Sequence, residues 1–179
     1  MSRDIRQLCR ETRHTSGVVE ECRRRGADSA QVFLSNPRGW AAALLEEAGD
    51  AHLGICLDVC HLFATGYGLD EPGGVEALFA ELAAHGLTDR VALVHANDSE
   101  FPRGDRRDRH SPIGEGHVGV EGWRVLLSRS EAAAWPFVLE TPGDAESHAA
   151  QIALLRALAP ASRSGPSDQG WNSARGPSW

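Results

Sequence analysis

Short apolar runs alternate with longer amphipathic stretches along most of the chain. "SAQVFLS" (29–35), "LGICLDV" (53–59), "RVALVHAND" (90–98) and "PFVLETPG" (136–143) each read as a buried strand. They are nearly continuous in apolar residues, as strands of a parallel sheet covered on both faces are. Helical spacing fills the intervals. Val18, Val19, Cys22 and Ala27 punctuate a charged helix over 17–28, and "AAALLEEAGD" (41–50) reads as a helix closed near Gly49. "GGVEALFAELAAHG" (73–86) is amphipathic, and further helices are predicted around "EGWRVLLSR" (121–129) and over "AESHAAQIALLRALAP" (145–160). "NPRGW" (36–40) reads as a turn, "CHLFATGYGLD" (60–70) as a loop, and "RGDRRDRHSPIGEGHVG" (103–119) as a long polar loop.

Strands alternating with helices predict parallel βα units. The polar segment 1–13 precedes a domain expected to span 14–160, and the Ser-, Gly- and Pro-rich segment 161–179 is expected to be a disordered tail. The 179 residues, 41% hydrophobic and 24% charged, suit one soluble globular domain that needs no disulfides for its core. No apolar run approaches the ~18 residues of a membrane-spanning helix. The opening "MSRDIRQLCRETRH" lacks the apolar centre of a signal peptide. Cys9, Cys22, Cys56 and Cys60 form neither a CxxC pair nor a dense framework, so a reducing cytoplasm is the expected location. A net charge of −7 argues against a protein that coats polyanions. It is compatible with an acidic cleft behind a basic rim, and Arg103, Arg106, Arg107 and Arg109 are such a local cluster.

Chemistry enters at the strand ends. Asp58, His95 and Glu140 each stand near the carboxyl end of a predicted strand, the edge that carries the reactive groups in (β/α) barrels. His61 follows in "LDVCH". Asp108 and His110 lie two apart in "DRH", where extended backbone turns both side chains to one face. Carboxylates and imidazoles are the ligand types of zinc and manganese, and paired metals can activate water and clamp a phosphodiester. Taken singly, Asp58 reads equally as a cap, His95 as a core histidine and Glu140 as an arginine partner. Their repeated placement at strand ends is what favours a site.

"GICLDVCHLFATGYGL", "VHANDSEFPRGDRRDRHSPIGEGHVG" and "PFVLETPG" together resemble the signature blocks of the endonuclease IV family of metal-dependent apurinic/apyrimidinic endonucleases. The resemblance is continuous from about Leu53 to Leu158 and weaker over residues 14 to 40. It implies a (β/α) TIM barrel of the xylose-isomerase-like type with a site for three ions, usually zinc, which cuts double-stranded DNA 5′ to abasic sites in base excision repair. By that resemblance Asp58, His95 and Glu140 match ligands of one metal, with Asp58 and Glu140 acting in catalysis through it. His61, Asp108 and His110 match the full ligand set of another. Arg38 matches an arginine that enters the DNA. "GEG" (114–116) matches a turn read as structural, because glycine permits positive φ. His52, His117, Cys56 and Cys60 match no ligand.

The chain departs from the family between "NPRGW" and "LGICLDV". There the family carries the middle strands of its barrel, with two histidines and a bridging glutamate. Here stand only residues 41–52, and Glu46 and Glu47 read as an exposed helix face. The expected fold is therefore a partial barrel missing its middle strands, holding fewer ions than the family's three. Two copies pairing to cover each other's sheet edges is one way to complete it. Three functions stay in competition: the nuclease, a sugar isomerase or epimerase on the same barrel type, and an inactive metal- or DNA-binding remnant. The arginine-rich "DRH" loop favours the nuclease over a sugar pocket.

Overall fold

A computed structural model describes residues 54–160. The elements predicted before Leu53, the tail, Arg38, Glu46, Glu47, His52, Cys9 and Cys22 lie outside the described residues. In chain order the elements are β1 (Ile55–Asp58), α1 (Val59–Ala64), α2 (Pro72–Ala84), β2 (Val91–His95), β3 (Asp98–Ser99), β4 (His110–Ser111), α3 (Gly119–Ser128), β5 (Phe137–Val138) and α4 (Ala145–Leu158). Strands β1, β2 and β5 form one parallel sheet in that order. Among the described residues it is an open, partial barrel sheet, with helices between its strands. No helix among them is long and apolar enough to cross a membrane.

The sheet is shorter than the apolar runs that predict it. "LGICLDV" stops being strand at Asp58, whose Oδ1 accepts the His61 backbone N–H at 3.2 Å and so caps α1. An aspartate at that position satisfies a donor that the helix itself cannot. "CHLFATGYGLD", read as loop, thus begins in a short helix. "RVALVHAND" likewise breaks after His95, and Asp98 belongs to a separate two-stranded ribbon. "PFVLETPG" keeps only Phe137–Val138 as strand.

Helix α2 buries Val75, Leu78, Phe79 and Leu82, the i, i+3, i+4, i+7 stripe expected of an amphipathic helix. Pro72 at its first turn costs no hydrogen bond, because that N–H lacks an intrahelical partner anyway. Phe79 stacks on Trp135 with ring centroids 5.3 Å apart, joining α2 to the turn before β5. Helix α3 adds Trp123, Leu126 and Leu127 to the same core. Each such side chain contributes about 1.5–3 kcal/mol when fully buried. Helix α4 is capped by Asp144, which accepts the Ser147 N–H at 2.9 Å. Its buried Gln151 Oε1 accepts the Ile113 N–H at 3.1 Å and the Thr141 hydroxyl at 2.8 Å, tying the end of the DRH loop to the chain beyond β5.

Candidate metal centre

The parallel register decides where the polar strand ends meet. Asp58 of β1 lies opposite His95 of β2, and His95 lies opposite Val138 of β5. Two residues past Val138, Glu140 turns back toward the sheet because its N–H donates to Asn97 Oδ1 at 2.9 Å. As a result His95 Nδ1 sits 2.8 Å from Glu140 Oε2 and 3.4 Å from Asp58 Oδ2. That nitrogen is buried, and neither contact has the direction of a hydrogen bond. An imidazole nitrogen and two carboxylates converging without hydrogen-bond geometry are the arrangement of a cation's donor set.

The DRH segment reaches the same place by another route. Strands β3 and β4 pair antiparallel, with Ser99 opposite His110 and Asp98 opposite Ser111. The first part of the segment expected to be one long loop, up to Ser111, therefore belongs to a hairpin closed at its base. Its tip is pinned on α1: the Gly104 and Arg106 N–H groups donate to Phe63 and Ala64 carbonyls at 3.0 and 3.1 Å. These carbonyls belong to the helix end that has no internal donors. Arg106 adopts φ +60° there. Asp108 Oδ2 then lies 2.9 Å from His61 Nε2, and Asp108 Oδ1 lies 3.4 Å from His110 Nε2. His110 Nδ1 is 3.2 Å from the Glu140 carbonyl, which can only accept, so Nδ1 donates there and the ring is held with Nε2 facing the carboxylates.

Among the described residues three donor sets result, each with its atoms within 4.8 Å of one another: Asp58–His95–Glu140, Asp58–His61–His110 and Cys60–Asp108–His110. Asp58 belongs to two of them, and its Oδ2 also lies 3.0 Å from His61 Nδ1. Burial pushes the Asp58 carboxyl up, but the hydrogen bond and charge of His61, with His110 beyond, leave it below its ordinary value. The hydrogen bond to Asp58 raises His61 against the effect of its own burial, and Asp108 and Glu140 add to the rise. Cys60 is buried, with its thiol pushed up to about 12 mainly by that burial, so it stays a neutral S–H. Its sulfur lies 3.5 Å from the Arg109 carbonyl and helps to hold the hairpin. Burial also raises Cys56, to about 11.

Two residues of "HAND" were given no part by the sequence. Asn97 is fully buried, and its Nδ2 faces Asp58, Glu140 and His110. Asp98, also fully buried, accepts N–H groups from Ser99, Gly114, Val118 and Gly119 and from the Trp123 indole. The "GEG" turn is built around it. Gly114 has φ +82°, as expected of a turn glycine. Gly116 does not have positive φ; it is needed because a Cβ there would strike the Asp98 carboxylate and the Ser99 carbonyl. The signal in the sequence was a pair of polar residues closing an apolar run, which spacing alone does not separate from a loop. His117 is exposed and stands apart from the donor sets. The arginine cluster divides: Arg103 pairs with Asp70 and Glu71, and Arg107 pairs with Asp105 and lies over the Phe101 ring at 3.6 Å. Arg106 and Arg109 are exposed and make no ion pair among the described residues.

Residues 17–158 match the model of the family described as xylose isomerase-like TIM barrel. The chain is 42% identical over 142 residues to a probable endonuclease 4 of Streptomyces coelicolor, covering 73% of this chain and 48% of the relative. It is 46% identical over 109 residues to a probable endonuclease 4 of Chloroflexus aurantiacus, covering 59% of this chain and 38% of the relative. The crystal structure of endonuclease IV from Thermus thermophilus superposes with a TM-score of 0.66 and 29% identity, over 79% of this chain and 55% of that one. The chain spans about half the length, or less, of the curated relatives it matches.

Proposed function

Because the chain belongs to the xylose isomerase-like TIM-barrel family, and its relatives in it are endonuclease 4 proteins, we propose that it hydrolyses DNA 5′ to abasic sites, as in base excision repair. The observation that carries this reading is the convergence of two donor sets on the shared Asp58 at the carboxyl ends of parallel strands. Asp58, His95 and Glu140 would hold one zinc or manganese ion, and His61, Asp108 and His110 another, with Asp58 also standing in one donor set with His61 and His110. Bound there, the metal would supply activated water and stabilise charge on the phosphate. The residues' own part is positional. Asp58 Oδ1 stays committed to capping α1 while Oδ2 faces both histidines. The Glu140 carbonyl orients the His110 ring through Nδ1, with Nε2 turned toward Asp58 and Asp108. Arg106 and Arg109 offer uncommitted positive charge on the exposed hairpin, where phosphates would approach. Arg38 supplies a further contact to duplex DNA in this reading.

The test is a duplex carrying one abasic site, incubated with protein of measured metal content. Cleavage leaving a 3′-hydroxyl 5′ to the lesion is expected. An uncut duplex with metal bound would overturn the reading. The assay is run across protein concentrations, because a specific rate that rises with concentration marks two copies completing the open sheet.

A further inference from the structure

Asn97 touches a member of every donor set, yet it is not itself an ionisable ligand. Its Nδ2 lies 3.3 Å from Asp58 Oδ2, 3.3 Å from Glu140 Oε2 and 3.4 Å from His110 Nε2. The amide cannot turn over to offer its oxygen instead, because Oδ1 accepts the Glu140 N–H at 2.9 Å. The side chain is fully buried and lies at the bend between β2 and β3, so its position is set by both sheets. One amide therefore fixes the backbone that presents Glu140 and supplies N–H groups to two carboxylates that would otherwise repel each other. It also spans from the strand-end set to the hairpin set through His110.

We propose that Asn97 is a positioning residue that sets the spacing between the two donor sets, so that loss of its side chain disturbs both together. This rests on the metal-centre reading above. Outer-shell partners of this kind are worth about 10–100-fold in metal affinity. The test compares wild type with Asn97→Ala and Asn97→Leu. The leucine keeps the volume without donor, acceptor or ligand, and it carries the test if the alanine variant does not fold. Zinc affinity is read by competition with a chromophoric chelator, and geometry by the absorption of the cobalt-saturated protein. The expected result is zinc binding weakened about 10–100-fold and a cobalt spectrum that remains altered at saturation. A residue that only supports the fold would leave the saturated spectrum unchanged. Variants with wild-type affinity and spectrum would overturn the role of Asn97 and leave the metal centre standing. A wild type that binds neither metal would overturn both.

Discussion

Asp58 and Asp98 are buried carboxylates at the same end of the sheet, 7% and 0% exposed, and their surroundings differ in kind. Asp98 is surrounded by N–H donors: four from the backbone, of Ser99, Gly114, Val118 and Gly119, and one from Trp123. Its carboxylate gathers these N–H groups, so it ties the loop after β4 to the core. Asp58 has one backbone N–H on Oδ1, while Oδ2 is shared among His61, His95 and Asn97. The contrast teaches how to tell a structural acid from a ligand when both are buried. A structural acid is saturated by hydrogen bonds, whereas a ligand is crowded by other donors and left short of hydrogens.

The comparison breaks first at Asp98. Asp98→Ala leaves its N–H groups unsatisfied at about 1–3 kcal/mol each, so denaturant unfolding should show a loss of roughly 5 kcal/mol or an unfolded chain. Asp58→Asn should instead cost the metal-free protein only about 1 kcal/mol or less, because asparagine caps a helix as well as aspartate does. The same variant should lose metal. If Asp98→Ala unfolds no more easily than Asp58→Asn, the distinction fails. A second effect sharpens it. Zinc at about 100 times its dissociation constant should stabilise the wild type by roughly 2.7 kcal/mol, reversed by a chelator, and should stabilise Asp58→Asn by less. The smallest effect lies on the hairpin. Arg106→Ala and Arg109→Ala should each weaken duplex binding and lower the slope of log affinity against log salt by about one, without moving the melting midpoint. Arg103→Ala should act the other way, loosening the hairpin through its lost contacts with Asp70 and Glu71.

The strand–helix alternation, the α2 stripe and the approach of Asp58, His61, His95, Asp108, His110 and Glu140 were legible from periodicity, strand-end placement and family resemblance. Element ends were not. Asp58 stops β1 by capping α1, and an apolar run carries no mark of where a side chain takes over a backbone donor. The roles of Asn97 and Asp98 were hidden for a related reason. They are adjacent in "HAND", yet one faces the carboxylates and the other faces Trp123. That division depends on the β2–β3 bend, which only the fold supplies. Gly116 is in the same position, since its need arises from a carboxylate far from it in sequence.

The most direct measurement is the metal-to-protein ratio by mass spectrometry of wild type and Asp58→Asn, both purified without chelator. The expected result is zinc or manganese carried through purification by the wild type and held at a lower ratio by the variant, with both chains folded. A folded wild type without metal, or a variant that holds as much as the wild type, would contradict it.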